Sequence, residues 1–141
     1  MEAVNTSPSN NLVYGTLHYG DSWPGNTHTG DSTDPPAYVA ENFFTYAVEW
    51  EEGEIRWYVD DVHFETQNDW YSNGNAFPAP FDKDFHLLLN VAVGGQWPGD
   101  PDGTATFPQE MVVDYVRVFE CSLDTTTGKG CGVKDPAIVP L

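Results

Sequence analysis

The residues that could carry chemistry in this chain are acids and aromatic side chains. The 141 residues include 22 Asp and Glu, and 14% are aromatic. Carboxylate pairs cleave glycosidic bonds and aromatic rings hold sugar faces, so this composition favours carbohydrate chemistry. Other chemistries lack their motifs: no serine stands in a GxSxG elbow, and no glycine-rich loop opens a helix that would cradle a phosphate.

Histidines and cysteines give weaker signals. His18, His28, His63 and His86 are scattered without metal-ligand spacing on one element, so ordinary hydrogen bonding is expected of them. The two cysteines enclose a short loop rich in Gly and Thr, "CSLDTTTGKGC". A disulfide closing this loop is expected, with two reduced thiols as the alternative.

The charge balance excludes whole classes of partner. Five Lys and Arg against 22 Asp and Glu give a formal net charge of -17. Such a chain repels phosphate backbones and anionic membranes, so we expect neither nucleic acid nor membrane as a partner. No apolar stretch reaches the roughly 18 residues that a membrane helix needs.

The elements that must position these residues are strands. Bulky apolar residues alternate at period two, and Asp60-Asp61 interrupts one such run, which predicts a hairpin there. Trp50 and Trp57 are interpreted as core residues because their neighbours at period two are apolar. The predicted strand segments are 11–20, 42–50, 54–66 as a hairpin, 85–93 and 110–120. The predicted loops, rich in Gly, Pro, Asn and Asp, are 20–36, 67–80 and 94–104.

This pattern predicts one all-β domain. Five or six strands with long loops and no helical periodicity are typical of an antiparallel jelly-roll β-sandwich. The length suits one domain with a modest core. We expect 1–120 to form the domain and 121–141 to be a disulfide-loop tail or exit linker.

Two long motifs resemble a known family. The runs "FFTYAVEWEEGEIRWYVDD" and "FHLLLNVAVGGQWPGDPDGTATFPQEMVVDYVRVFEC" are similar to the C-terminal half of glycoside hydrolase family 16, in particular its laminarinase-like endo-β-1,3-glucanases. The family fold is a concanavalin A-like jelly roll whose concave sheet carries the substrate cleft. The resemblance therefore implies the same fold class that the strand pattern predicts, incomplete at the N-terminus.

The resemblance assigns the catalytic role to Glu2. The family's catalytic strand has the form E-x-D-x-x-E, commonly ending in Met-Glu, which the opening "ME" resembles. Glu2 would then be the general acid/base, and the nucleophile would stand five positions ahead of it, outside this chain. Since a retaining glycosidase needs two carboxyl groups about 5 Å apart, the chain alone is expected to be inactive.

Further site residues are implied with alternatives left open. His18 in "GTLHYG" matches a substrate-contacting histidine, or it is an ordinary hydrogen-bonded strand residue. Trp97 in "GGQWPGD" matches a tryptophan that contacts a glucose ring, or it is packed. Asn90 points its amide into the cleft or caps a backbone group. Asp114 matches a calcium ligand on the convex side, and burial would make an unpaired acid costly there; Arg117 is the alternative partner.

The resemblance implies a function and leaves a second one open. The first is retaining endo-hydrolysis of laminarin-type β-1,3-glucan by a secreted parent enzyme, of which this chain is a fragment, with no organic cofactor and with a structural calcium. The second is a non-catalytic glucan-binding β-sandwich, or one half of a two-chain enzyme whose other half is the missing N-terminal part. The partner in each case is β-glucan.

Overall fold

The computed structural model describes residues 1–132 and 134–141 and divides them into two compact units. The first unit comprises Met1–Asp84 and Glu120–Leu141, and the second comprises Phe85–Phe119. All regular structure of the described residues is β-strand. None of it is a helix that could span a membrane.

The first unit contains two three-stranded antiparallel sheets. One sheet has the order β1 (Glu2–Ala3), β2 (Val13–Tyr19), β3 (Thr27–Thr33), and the other has the order β4 (Tyr46–Glu51), β5 (Glu54–Val59), β6 (Val62–Gln67). The predicted all-β class is confirmed, and two antiparallel sheets are consistent with a jelly-roll sandwich.

The core lies between the two sheets. Val13 and Leu17 of β2 are 1% and 6% exposed and pack with apolar residues of the second sheet. These partners are Ile55, Trp57, Val59 and Phe64 of the second sheet, and Trp70 in the segment after β6 also belongs to this cluster. Gln67 of β6 donates through Nε2 to the carbonyl of Thr29 in β3 at 2.8 Å, which joins the sheets at one edge. Apolar alternation in β2 and β5 therefore positions one sheet over the other.

Local sequence explains the hairpin between β5 and β6. Asp60 and Asp61 have φ of 47° and 63°, the left-handed region that two-residue hairpin turns require. The Asp60 side chain accepts a hydrogen bond from the backbone N–H of Thr45 at 2.8 Å. Phe64 is the extra residue of a β-bulge in β6, since Trp57 pairs with Glu65 and Tyr58 with His63. The predicted hairpin is confirmed.

The prediction of a loop over 20–36 is wrong in its second half. β3 pairs with β2 residue for residue, from Val13 opposite Thr33 to Tyr19 opposite Thr27. β-Branched threonines favour a strand there. Gly30 is required, because a Cβ at this position would come 2.3 Å from the carbonyl oxygen of Gly15.

The predicted strands over 85–93 and 110–120 are not formed. Residues 85–119 of the second unit contain no strand, and their apolar side chains are exposed, Leu88 at 80% and Phe119 at 85%. A strand needs a hydrogen-bonded neighbour, and none pairs with these segments in the described residues. The apolar composition of these segments predicted strands, but composition does not show whether a neighbouring strand is available for pairing.

Trp50 departs from the core prediction while Trp57 follows it. Trp57 is 3% exposed and Trp50 is 44% exposed. Trp50 lies on β4, the edge strand of its sheet farther from the β3 contact. The same sheet face is thus covered at β5 and uncovered at β4.

The C-terminal segment covers the other face of the second sheet. Cys121 and Cys131 form a disulfide, as expected. The N–H of Glu52 donates to the carbonyl of Thr127 at 2.7 Å, and the N–H of Leu141 donates to the carbonyl of Thr66 at 3.1 Å. The segment is therefore packed in the first unit, while the predicted domain boundary at 120/121 stays a prediction.

A buried arginine lies under this segment. Arg56 is 1% exposed and pairs with Glu49 at 2.9 Å, with Glu51 at 3.1 Å and with Glu54. Burial alone would lower the pKa of Arg56, but the three carboxylates raise it above its ordinary value. Lys134 adds an ion pair to Glu54. The guanidinium is thus fully compensated.

Candidate functional site

Strand register places two predicted site residues on one face of the first sheet. Glu2 in β1 lies opposite Tyr14 in β2. Side chains alternate along β2, so Tyr14, Thr16 and His18 share the face of Glu2, while Val13 and Leu17 point into the core. Glu2 and His18 are both exposed on this face. Four residues of strand separate Tyr14 from His18, about 13 Å.

His18 also lines a groove. The groove has a volume of about 470 Å³ and is bordered by the end of β2 and the loops that follow β2 and β6. Its lining consists of His18, Tyr19, Gly20, Asp21, Ser22, Trp23, Asn26, Ser72, Asn73 and Pro80. An extended polymer, rather than one small molecule, would contact both the groove and Glu2.

Trp23 supplies the groove with an open aromatic surface. The side chain is 78% exposed. Asp21, in the same loop, accepts a hydrogen bond from the Asn73 amide at 2.7 Å, which ties the loop to the 67–80 segment. The N–H of Gly20 donates to the Tyr71 carbonyl at 3.0 Å, and the Tyr19 and Tyr71 rings meet edge to face at 5.5 Å. Trp23 therefore lies on a loop held in place by these contacts, and its exposed ring can stack on a flat apolar face of a ligand.

Polar groups of the groove can bind hydroxyls. The Asn26 side chain lies 3.5 Å from Nδ1 of His18, Nδ2 to Nδ1. With that amide as donor, the neutral ring carries its proton on Nε2. The Asn26 Oδ1 is buried without a partner among the described residues. In that tautomer, Nε2 of the exposed His18 can donate a hydrogen bond to a ligand hydroxyl.

Asn90, Trp97 and Asp114 lie in the second unit, which is described by itself. Trp97 is 56% exposed and follows a Gly-Gly bend in which Gly94 and Gly95 have φ of 70° and 137°. The N–H of Gly99 donates to the carbonyl of Gly95 at 2.9 Å, closing the bend. The expected bend is present, and the roles of Asn90 and Trp97 in substrate binding stay predictions.

Asp114 does not have the buried position on which the calcium argument relied. The residue is exposed. Arg117, its alternative partner, places its guanidinium 4.2 Å from the centroid of the Tyr115 ring. The described residues contain no group of three or more His, Cys, Asp or Glu that could hold a metal ion. Asp114 as a calcium ligand therefore stays a prediction.

Sequence reasoning missed Trp23 and Asn26 because they lie in a segment interpreted only as a loop. A signal was present: Trp23 stands alone among turn formers in "GDSWPGN", with no apolar neighbour at period two to explain it as core. A large aromatic residue in such a setting is a candidate for ligand contact.

Comparison with known proteins decides the family. The model of "Glycosyl hydrolases family 16" matches residues 5–117. The chain belongs to this family. The chain is 41% identical over 127 residues to "Glucan endo-1,3-beta-glucosidase A1" of Niallia circulans, covering 85% of this chain and 18% of that protein. It is 39% identical over 128 residues to "Beta-glucanase" of Rhodothermus marinus, covering 84% of this chain and 42% of that protein.

A third relative has a different kind of name. "Beta-1,3-glucan-binding protein" of Penaeus monodon is 35% identical over 112 residues, covering 66% of this chain and 30% of that protein. No solved structure gives a significant match. The chain thus spans less than half the length of these curated relatives, and the predicted resemblance to family 16 and its endo-β-1,3-glucanases is confirmed.

Proposed function

We propose that this chain carries the acid/base residue and part of the glucan groove of a retaining endo-β-1,3-glucanase. The observation that carries the proposal is the register that puts Glu2 and His18 on one exposed sheet face beside the groove. Family membership and the names of the 41% and 39% identical relatives support a β-glucan substrate.

The proposed chemistry assigns Glu2 two proton transfers. Its carboxyl group gives a proton to the glycosidic oxygen as the bond to the anomeric carbon breaks, and its carboxylate then takes a proton from the water that releases the sugar. A second carboxylate must attack the anomeric carbon from the opposite side. By register, the face of β1, β2 and β3 that holds Glu2 carries no other acid, so we expect the 141-residue chain alone to release no sugar.

The groove supplies binding. A glucose ring stacked on Trp23 would bury about 60 Å² of the indole, worth about 1.5 kcal/mol or roughly tenfold in Kd. His18 and Asn26 would bind its hydroxyls. The expected secretion of the parent protein is part of the proposal, and the Cys121–Cys131 disulfide supports an oxidising compartment.

Binding is tested by affinity electrophoresis of the chain in native gels containing laminarin. We expect retardation of the wild type and roughly tenfold weaker binding for Trp23→Ala, with a smaller loss for His18→Ala. Phe43→Ala is the matched control, because Phe43 is also an aromatic side chain, 71% exposed, but does not line the groove. Equal retardation of Trp23→Ala and wild type would contradict the groove assignment.

Catalysis is tested by reducing-sugar release from laminarin. The isolated chain should release none. A longer chain in which an E-x-D-x segment precedes Met1, so that it reads E-x-D-x-Met-Glu, should hydrolyse laminarin, and Glu2→Gln in that chain should lower kcat by several orders of magnitude without a matching loss of binding. Release by the isolated chain would mean that the second carboxyl has been wrongly placed outside it.

A non-catalytic glucan-binding module is the second candidate function. It is favoured by Glu2 being the one acid that the register of β1, β2 and β3 puts on that sheet face, and by the relative named "Beta-1,3-glucan-binding protein". Under this alternative the longer chain binds laminarin and still does not cleave it. A two-chain enzyme differs again, since mixing with a separately produced N-terminal half would then restore cleavage.

A further inference from the structure

Two histidines lie side by side on the open face of the first sheet. His18 in β2 is paired in register with His28 in β3, and both are exposed. Their ring centroids are 5.5 Å apart, and the planes are tilted by 37°. Side chains opposite each other on antiparallel strands point the same way, so both rings project from one spot on the sheet.

We propose that His18 and His28 form a binding site for one first-row divalent transition-metal ion, such as Ni²⁺ or Cu²⁺. Imidazole is a preferred ligand of these ions. Two imidazole nitrogens at about 2.1 Å from one ion put the ring centroids about 5 to 6 Å apart. The observed centroid separation of 5.5 Å lies within this range.

The site is an open one. The described residues bring no third His, Cys, Asp or Glu to the pair. Water would therefore complete the coordination shell. An open pair of this kind binds reversibly, and it discriminates against Ca²⁺, which prefers six to eight oxygen ligands.

Asn26 can orient one of the two rings. A histidine bound to metal through one nitrogen usually donates its other N–H to an oxygen. The Asn26 side chain lies 3.5 Å from Nδ1 of His18, and its Oδ1 has no partner among the described residues. Rotation of the amide by about 180° would present that oxygen to Nδ1–H and leave Nε2 for the ion.

Metal binding at this pair has a consequence for the groove. His18 lines the groove and His28 does not. A bound ion would engage the one ring that the two sites share, so Ni²⁺ and glucan should compete. This consequence rests on the proposed function, whereas metal binding itself does not.

Metal binding is tested by isothermal titration of NiCl₂ into the full chain without a histidine tag. We expect one Ni²⁺ per chain and a Kd at least tenfold weaker in His28→Thr and in His18→Thr. Threonine suits an exposed strand position, so both variants should keep the fold, which circular dichroism checks. His86→Thr is the matched control, because His86 is also an exposed histidine but has no part in the pair.

Several outcomes would overturn the site. Absence of Ni²⁺ binding would do so, and so would an equal loss of affinity in His28→Thr and His86→Thr. Nuclear magnetic resonance gives a second readout, since Ni²⁺ should broaden the ring signals of His18 more in the wild type than in His28→Thr. In laminarin gels, Ni²⁺ should weaken retardation of the wild type and leave that of His28→Thr unchanged. If Ni²⁺ does not affect laminarin binding, the predicted competition is contradicted, but the metal site is not.

Discussion

At the scale of single residues, Glu65 is the acid most affected by its surroundings. It lies between the two sheets, 1% exposed, facing Gly15, where a Cβ would come 2.2 Å from Oε2. Gln67 donates to one carboxylate oxygen, and Oε2 has no partner among the described residues. Burial raises the pKa of Glu65 to about 7 despite the Gln67 hydrogen bond. Gly15 of β2 leaves space for the Glu65 side chain. Ionisation of Glu65 in this buried position lowers the free energy of unfolding.

Glu65 gives the fold a pH dependence with a defined sign. Its pKa rises from 4.5 to about 7 on folding, so the folded chain binds more protons between those values and the free energy of unfolding falls as pH rises through them. Glu65→Gln should stabilise the chain at pH 8 by up to about 3 kcal/mol and have little effect at pH 4. Urea denaturation at both pH values, with exposed Glu110→Gln as control, measures this. A stabilisation that is equal at both pH values would exclude titration of Glu65 as its cause.

At the scale of elements, the β5–β6 turn uses two aspartates in backbone conformations that favour glycine. Asp60 is compensated by its hydrogen bond with the Thr45 N–H, whereas the Asp61 side chain accepts no such bond from the described residues. Asp61→Gly should therefore raise the free energy of unfolding by up to about 1 kcal/mol. Asp60→Gly relieves the same strain but loses the bond to Thr45, so it should give no gain. Thermal denaturation of the two variants distinguishes these effects; a larger gain at position 60 would contradict the argument.

Elements differed in how far the sequence could predict them. β2 and the β5–β6 hairpin were predictable because their patterns and turn residues are local. β3 was not, because its Thr-rich strand is interrupted by Gly30, whose need comes from the neighbouring strand. The segments 85–93 and 110–120 look like buried strands in composition, yet pairing depends on a partner that no local pattern specifies.

The candidate site was also only partly predictable from the sequence. Motifs indicated Glu2 and His18, and the register places them on one face of the first sheet. Trp23 and Asn26 lie in the loop after β2, and Ser72 and Asn73 lie in the segment after β6. The two segments are far apart in sequence, and only the fold brings them together with His18 in one groove. The His18–His28 pair was invisible to a search for ligand spacing within one element, because the two rings meet across strands.

At the scale of the first unit as a whole, the C-terminal segment acts as a third layer. The segment contacts the second sheet close to Arg56, where a Cβ on Gly132 would come 2.1 Å from a guanidinium nitrogen. His63 accepts a hydrogen bond from the N–H of Asp135 at 3.1 Å and stacks on Tyr58 at 4.9 Å. The tail therefore contributes to folding stability through contacts far apart in sequence.

Removal of the disulfide tests this role. The double variant Cys121→Ser, Cys131→Ser should lower the free energy of unfolding by about 2 to 3 kcal/mol, the loop-closure value for so short a loop. Amide exchange at Glu52, whose N–H is bonded to Thr127, should accelerate. Lys129→Ala is the control: its ion pair with Glu52 is about half exposed on both sides and should cost less than about 1 kcal/mol. Unchanged exchange at Glu52 in the double variant would refute the third-layer role.

The glutamate cluster around Arg56 also affects how the surface of this chain interacts with charged polysaccharides. Arg56, Lys129 and Lys134 are all paired with glutamates between positions 49 and 54. They are three of only five basic residues against 22 acidic ones. Few positive charges remain to offset the anionic surface, so sulfated or uronic-acid polysaccharides meet repulsion that added salt would relieve, while an uncharged glucan meets none.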